Sequence, residues 1–343
     1  MLKGICYRVL SIIILMMVVM KSGYSQDLGN IPVRLMFYNV ENLFDIYDDT
    51  LKNDDDFLPG GMLRWNFTRY NKKINSLYKT IIAAGEWNPP TVVGLCEVEN
   101  RKVLKDLIYG TYLSKFNYGI IHEESPDRRG IDVCLIYRKE LADIIDFQYW
   151  IPSEIKDEVF TSRSILYAKM RINTDTIHFI INHWPSRRGG VLAAESSRRI
   201  IAAMVKTKVD SIAEGTNYKA KIVIMGDFNC TPLDQVMRLL VNPSDLSNTL
   251  VNLTEELAVK GMGTYRYRGI WEMIDQIIIS ERLMRCGKGL YTDAEMFHIF
   301  KPDFLLVEDL KYPGDTPLST YRGYKYQGGY SDHLPILLDL GFR

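Results

Sequence analysis

The chain has 343 residues, 47% of them hydrophobic and 24% charged, with 42 basic residues balancing 42 acidic ones. This composition excludes a disordered or low-complexity polypeptide. Zero net charge argues against a protein that grips long duplex nucleic acid through a broad basic face.

Residues 1–25 read as a secretory signal peptide. Lys3 and Arg8 precede an apolar stretch over 9–20, and the small residues Gly23 and Ser25 lead to a cut between Ser25 and Gln26. The stretch is short for a membrane span. The mature chain is therefore expected to be exported, to the periplasm or beyond, with no stable membrane insertion. Cleavage removes Lys3, Arg8 and Lys21 and no acid, so the 42 basic residues fall by three to 39 against 42 acids, a net charge of −3. Room remains for a local basic patch. Cys96, Cys134, Cys230 and Cys286 survive cleavage without metal-site spacing, and buried free thiols are the simplest reading.

Apolar, β-branched runs then recur at residues 33–40, 91–98, 131–137, 165–172, 176–183, 222–228, 274–279 and 334–340. Several are continuous rather than alternating, which implies strands covered on both faces. Helical periodicity lies between them, over 70–84 with Ile74, Leu77, Tyr78 and Ile81 on one stripe, and over 193–213 with Ile201, Val205 and Val209. Strands and helices interleave without a linker or repeat, so residues 26–343 are expected to form one α/β domain. Five aspartates, at 48, 49, 54, 55 and 56, lack calcium-loop spacing and read as a solvated loop. The Tyr- and Gly-rich stretch over 312–330 reads as a long surface loop, a candidate lining for a substrate cleft.

Polar residues collect where these runs end. "LMFYNVEN" carries Asn39, "VVGLCEVEN" embeds Glu97, "IINHWPSRRGG" ends on His183, and "IVIMGDFNCTP" gives Asp227 and Asn229. "MIDQIIIS" gives Asp275, and "YSDHLPILL" gives Asp332 and His333. Each alone could cap a helix or turn. Together they supply carboxylates, amides and imidazoles, the ligand types of a hard divalent cation and the donors of a phosphate ester hydrolase. A carboxylate inside a strand such as Glu97 must be paired, protonated or bound to a cation.

With "GDFN" followed about a hundred residues later by "SDHLP", and with "N-x-E-N" and a strand-borne "E-V" upstream, the chain resembles the endonuclease/exonuclease/phosphatase superfamily over residues 33–342. That superfamily includes pancreatic deoxyribonuclease, apurinic/apyrimidinic endonucleases, neutral sphingomyelinases and inositol-polyphosphate 5-phosphatases. The resemblance implies a four-layer α/β/β/α sandwich of two packed, mainly antiparallel or mixed sheets, with the site at one edge. It implies a metal-dependent phosphoric ester hydrolase using Mg²⁺ or Mn²⁺, with Ca²⁺ as an additional ion. By resemblance, Asn39, Glu97 and Asp332 serve the metal. Asp227 and Asn229 position the attacking water and touch the phosphate, His333 contacts the scissile phosphate, and Asp275 orients His333. His183 matches a second histidine, with Asp132 of "RRGIDVCLIYR" as its expected partner. Arg187 and Arg188, before a helix, suit an anionic phosphate, and Arg163 resembles a family arginine near the cleft. Glu99 and Asn42 are expected to face elsewhere, and His122, His178 and His298 to be structural or exposed.

The chain departs from the 5-phosphatase branch, which carries "GDLNYR" and "W-C-D-R" where this sequence has "GDFNCT" and "M-I-D-Q". "NHWPSRRGG" is similar to a segment of bacterial exported nuclease-like members. An exported nuclease is the first expectation, with nucleic acid or another phosphodiester as partner and no protein partner. A phospholipid or sphingolipid phosphodiesterase, or a phosphoinositide phosphatase, is the alternative within enzymes. A catalytically vestigial phosphate-binding module is the alternative outside them.

Overall fold

The computed structural model describes residues 33–86, 88–152, 163–186, 191–241, 249–285 and 287–343. The segment read as a signal peptide, Cys286, Arg187 and Arg188 lie outside the described residues. The chain opens with β1 (Val33–Leu43), α1 (Phe67–Ala84), β2 (Val92–Val98), α2 (Arg101–Tyr109), β3 (Tyr118–Ile121) and β4 (Asp132–Arg138). It continues with β5 (Ala142–Trp150), β6 (Ile165–Ile172), β7 (Asp175–His183), α3 (Val191–Gly215), β8 (Lys221–Asp227), α4 (Gln235–Val241) and β9 (Leu250–Asn252). There follow β10 (Tyr265–Tyr267), β11 (Ile270–Glu272), β12 (Asp275–Ser280), β13 (Leu290–Tyr291) and β14 (Phe297–Ile299). Last come β15 (Leu306–Glu308), β16 (Asp315–Pro317), β17 (Tyr321–Arg322), β18 (Lys325–Tyr326) and β19 (Ile336–Phe342).

Two mixed sheets face each other. The first runs β13-β19-β1-β2-β4-β3, with β14 also on β19, and the second runs β5-β6-β7-β8-β12-β9. Within them β1 and β2, and β7 and β8, pair in parallel; their other neighbours are antiparallel. Strand parity explains the layering. Leu35 and Phe37 of β1 join Val223 and Met225 of β8 and Ile277 and Ile279 of β12 between the sheets. Met36 and Tyr38 turn outward against Ile74, Leu77 and Ile81 of α1. Ile222 and Ile224 turn the other way, against Ile201, Val205 and Val209 of α3. Both faces of each central strand are dry, which is why their sequences read as unbroken apolar runs. This is the four-layer α/β/β/α sandwich the sequence implies.

Caps fix where the outer helices start. Asn66 accepts the backbone N–H groups of Thr68 and Arg69 at the head of α1, and Asn100 accepts those of Lys102 and Val103 at the head of α2. Among the described residues, no helix is long and apolar enough to cross a membrane.

Two surface expectations change. The aspartate-rich stretch is not wholly solvated: Asp54 is buried and accepts the N–H of Asp49. The 312–330 stretch is not one open loop, since it contributes β16 and the β17–β18 hairpin. It leans on α1, with the Arg69 guanidinium 4.4 Å above the Tyr326 ring and Lys73 Nζ donating to Thr320 Oγ1 at 2.6 Å. Its residues do not line the cleft described next.

Candidate active site

Strand register builds half of the site. Parallel pairing of β7 with β8 sets His183 beside Asp227, and antiparallel pairing of β12 with β8 sets Asp275 on the other side of Asp227. Two strand ends and one strand start thus form one row of polar side chains. Gly226 permits the approach: a Cβ there would lie 2.3 Å from the carbonyl oxygen of Asn182. Asn229, two residues past the strand, adopts φ 51°, donates its N–H to Asp227 Oδ1 at 2.9 Å and its side-chain amide to the Trp184 carbonyl at 2.9 Å.

Broken register builds the other half. In β2, Leu95 points outward and Cys96 inward, so Glu97 should point outward beneath the helices. Instead a bulge falls between Cys96 and Val98, and Val98 is again outward. Glu97 takes up the extra residue at φ 62° and turns its carboxylate to the sheet end. A second irregularity in β1, between Asn39 and Leu43, holds Glu41 and Asn42 at φ 49° and 53°. Backbone of this kind costs about 1–3 kcal/mol per residue and persists where surrounding structure over-determines it. The Asn42 N–H donates to Glu97 Oε2 at 2.9 Å, tying the two bulges together. Strand parity had turned Asn42 away; the bulge brings it to the cleft.

The two halves meet in a cleft of about 620 Å³ lined by Glu97, His183, Asp227, Asn229, Asp332 and His333, with Asn42, Arg129, Arg163, Tyr265 and Tyr267 among the other walls. Asn39 bridges the sheets, its amide donating to Asp227 Oδ2 at 3.0 Å while its oxygen accepts the N–H of Glu41 at 2.9 Å. His183 Nε2 lies 3.7 Å from Asp227 Oδ2 and 3.8 Å from Glu97 Oε1. His333 Nε2 lies 3.9 Å from Asp227 Oδ2 and 3.9 Å from Asp332 Oδ1, and its Nδ1 is 2.7 Å from Asp275 Oδ2. Thr264 Oγ1 donates to the same Asp275 oxygen. Ser331 holds the histidine's backbone, donating to the Asn39 carbonyl at 2.7 Å and accepting the His333 N–H at 3.1 Å.

Electrostatics separate the two imidazoles that flank Asp227. Burial lowers His183 well below the ordinary histidine range, and Arg163, Arg129 and His333 add to it. Burial also pulls on His333, but Asp275, Asp332 and Asp227 overcome it and hold that imidazole well above the ordinary range. Burial pushes Asp227 up to about 7, against a downward pull from His333. Glu97, although burial raises it, is held below the usual carboxylate range by Arg129, Arg163 and His333. At neutral pH the cleft therefore holds a neutral imidazole, a charged one, an ionised glutamate and an aspartate poised to exchange its proton.

Some candidates move. Asp132 does not partner His183. Its Oδ2 lies 3.3 Å from His122 Nε2, and its Oδ1 accepts the N–H of Ser125. Sequence distance from a strand end had placed it one loop too far. Arg163 is at the cleft but engaged, donating to the Trp184 carbonyl at 3.1 Å with Asp127 3.4 Å from its Nε. Arg129, which sequence reasoning passed over, enters the cleft wall and donates to Asn42 Oδ1 at 2.7 Å. Tyr265 also escaped notice; its ring centroid is 5.0 Å from that of His333. The "RRG" just upstream of Asp132 was the one sequence signal for Arg129, and Tyr265 had none.

The donor set fits a hard divalent cation. Glu97, Asp227 and Asp332 supply carboxylate oxygens around one cleft, and the buried Asn39, bonded to Asp227, carries an amide oxygen with a spare lone pair. Asp227, Asp275 and His333 also offer ligand atoms within 4.8 Å of one another. In that trio Asp275 Oδ2 is engaged by Thr264 and His333, while its Oδ1 is buried without a hydrogen-bond partner.

The sequence matches the Endonuclease/Exonuclease/phosphatase family over residues 34–341. Among solved structures, the chain is similar to an endonuclease/exonuclease/phosphatase family protein from Bacteroides thetaiotaomicron, at 15% identity and TM-score 0.56, covering 91% of this chain and 95% of that one. It is similar to the mannosyl-6-phosphatase of the same organism, at 17% identity and TM-score 0.54, covering 90% and 100%. It is also similar to TDP2 from D. rerio complexed with a single-strand DNA product, at 13% identity and TM-score 0.54, covering 90% and 99%. Compared with curated proteins, the chain has no match. Those structures share its fold, and the family match spans nearly the whole sequence: the chain belongs to the endonuclease/exonuclease/phosphatase family of metal-dependent phosphoester hydrolases.

Proposed function

We propose that the protein is an exported phosphodiesterase that uses Mg²⁺ or Mn²⁺ and acts on nucleic acid, with residues 26–343 forming its single catalytic domain after cleavage near Ser25 and Gln26. The observation that carries the substrate reading is the cleft rim. Tyr265 and Tyr267 line the same cleft as Arg129 and Arg163. Aromatic faces stack nucleobases, and guanidinium groups follow the phosphate backbone.

When bound, the cation neutralises charge on the phosphoryl oxygens. Glu97, Asp332 and Asn39 would hold it. Asp227, fixed by Asn39 and Asn229, accepts a proton from the attacking water. His333, kept charged by Asp275, donates a hydrogen bond to a non-bridging oxygen of the scissile phosphate. Neutral His183 donates a second.

A phospholipid phosphodiesterase is the second reading, and one observation favours it. The β10–β11 and β15–β16 hairpins meet next to the cleft, stapled by Arg266, which donates to the carbonyls of Pro313, Gly314 and Asp315. Their tips expose Tyr267, Ile270 and Leu310, the last at 91%. Such a surface also suits a membrane interface.

Purified protein with Mg²⁺ or Mn²⁺ is tested on bis-p-nitrophenyl phosphate, then on single-stranded and duplex DNA, RNA, phosphatidylcholine and sphingomyelin vesicles, phosphoinositides and a sugar phosphate. The proposal expects chelator-sensitive diester hydrolysis and fastest turnover on a polynucleotide. Preference for a vesicle would establish the second reading. Preference for the phosphoinositide or the sugar monoester would overturn both.

A further inference from the structure

Away from the cleft, β3 leads into a loop that returns as β4, and three potential ligands cluster at its two feet: His122 and Glu124 at the start, Asp132 at the end. Pairing with β2 sets Asp132 opposite Val98, one residue beyond Glu97, so this cluster lies one strand further along the same sheet end. The His122 and Asp132 side chains are 2% and 1% exposed. His122 Nε2 and Asp132 Oδ2 are both buried without a hydrogen-bond partner, although only 3.3 Å apart. Buried polar atoms are almost always satisfied, and two lying together unsatisfied ask for a third party. Lys52 is not that party, because its Nζ donates to the carbonyls of Ser125 and Asp127.

We propose that His122, Glu124 and Asp132 form a second cation site, for Zn²⁺ or Mn²⁺, that fixes the loop presenting Arg129 to the cleft. The donor chemistry selects the ion: one imidazole with two carboxylates suits a transition cation, whereas Ca²⁺ and Mg²⁺ take oxygens. The spacing agrees. Tetrahedral ligands held at about 2.0–2.1 Å from zinc stand roughly 3.3–3.4 Å apart, the separation found between His122 Nε2 and Asp132 Oδ2. The three ligand atoms all lie within 4.8 Å of one another, so the exposed Glu124 need move little to close the site. Water would complete the coordination.

The link to the cleft is a relay of short hydrogen bonds. Asp132 Oδ1 accepts Ser125 N–H at 2.9 Å, Ser125 Oγ accepts Asp127 N–H at 3.3 Å, and Asp127 Oδ1 accepts Arg129 N–H at 2.8 Å. Arg129 then reaches Asn42. Anchoring Asp132 therefore anchors the arginine.

The test compares wild type with Glu124→Gln and His122→Asn, starting from metal-free full-length protein. Zn²⁺ is added in equilibrium dialysis, and trypsin cleavage after Arg128 and Arg129 is followed with and without the ion. Wild type is expected to bind one Zn²⁺ per chain more than His122→Asn. Glu124→Gln is expected to weaken that ion at least tenfold, and Zn²⁺ to slow loop cleavage in wild type but not in Glu124→Gln. Because Glu124 is exposed, its variant keeps the test valid even if His122→Asn does not fold. Equal Zn²⁺ stoichiometry and affinity in wild type and Glu124→Gln would overturn the proposal, as would loop cleavage that ignores the ion.

Discussion

At the end of the second sheet, His183, Asp227 and Asp275 stand in a row because β7 and β8 finish, and β12 starts, in register. At the end of the first sheet, Asn39, Asn42 and Glu97 reach the same cleft beside two breaks in register. The first arrangement places side chains with the ordinary geometry of a ladder, and its cost is the burial of charge. The second places them with strained backbone, and its cost is conformational. Substitutions in the two halves should therefore fail in different ways.

The largest effect is expected at Asp227. Asp227→Asn should lower kcat/KM on bis-p-nitrophenyl phosphate by about 10²–10⁴-fold, the usual range for a general base. The same change should stabilise the metal-free fold at high pH. Burial lifts the native Asp227 carboxyl to about 7, above the unfolded value of about 3.9. The native state therefore holds a proton that the unfolded state releases. Its contribution to stability is fully present below the unfolded value and is lost as pH rises through about 7. Thermal melts of wild type against Asp227→Asn should diverge from pH 4 to pH 8, with the variant ahead at pH 8; a constant difference contradicts this.

Next is Asp275→Asn, which keeps the ladder but removes the charge beside His333 Nδ1. The activity loss should be about 10²-fold, at the low end for a group that acts through another. The His333 imidazole should titrate at lower pH, read from its ring signals by NMR. An unchanged titration means Asp275 does not set that charge.

Gly226→Ala strikes the geometry alone. Its Cβ would meet the Asn182 carbonyl at 2.3 Å, and overpacking of this kind costs about 1–3 kcal/mol. Denaturant melts measure it directly.

The smallest effect sharpens the contrast most. Asparagine tolerates positive φ better than glutamate or alanine. Glu97→Asn and Glu97→Ala both give up the acceptor of the Asn42 N–H, so Glu97→Asn should be the more stable of the two by up to about 1 kcal/mol, within the strain such a residue stores, while both weaken the cation's hold and slow hydrolysis. Equal stability of the two variants would mean the bulge is not strained at Glu97.

The same division explains what the sequence revealed. The row on β8 was legible because an unbroken apolar run that ends on Asp227 specifies a buried strand, and a buried strand specifies neighbours. Glu97 was legible as a carboxylate where none should be, but nothing in "LCEVEN" announces a bulge. Parity counting therefore sent Asn42 away from the cleft. Asp132 was assigned to His183 because linear spacing cannot say which neighbouring loop folds over a strand end. His122, read as structural, is the imidazole that lies beside it. Arg129 arrives on a loop and Tyr265 on the short strand β10, and both are placed by long-range contacts, to Asn42 at 2.7 Å in one case and by a bridge to His333 in the other. The alternation of doubly buried runs with amphipathic helices was enough for an α/β domain, and the family resemblance supplied the four-layer sandwich.

The central claim is that both sheet ends serve one cation. Sub-stoichiometric Mn²⁺ added to metal-free protein broadens ring signals of nearby histidines, so the five imidazoles report on it by NMR. With the second site silenced by Glu124→Gln, the account predicts that His183 and His333 broaden together, that both sharpen again when Glu97→Gln is added, and that His178, on the far side of the second sheet, stays sharp throughout. Sharp His183 and His333 signals under Mn²⁺ concentrations that support hydrolysis would contradict it.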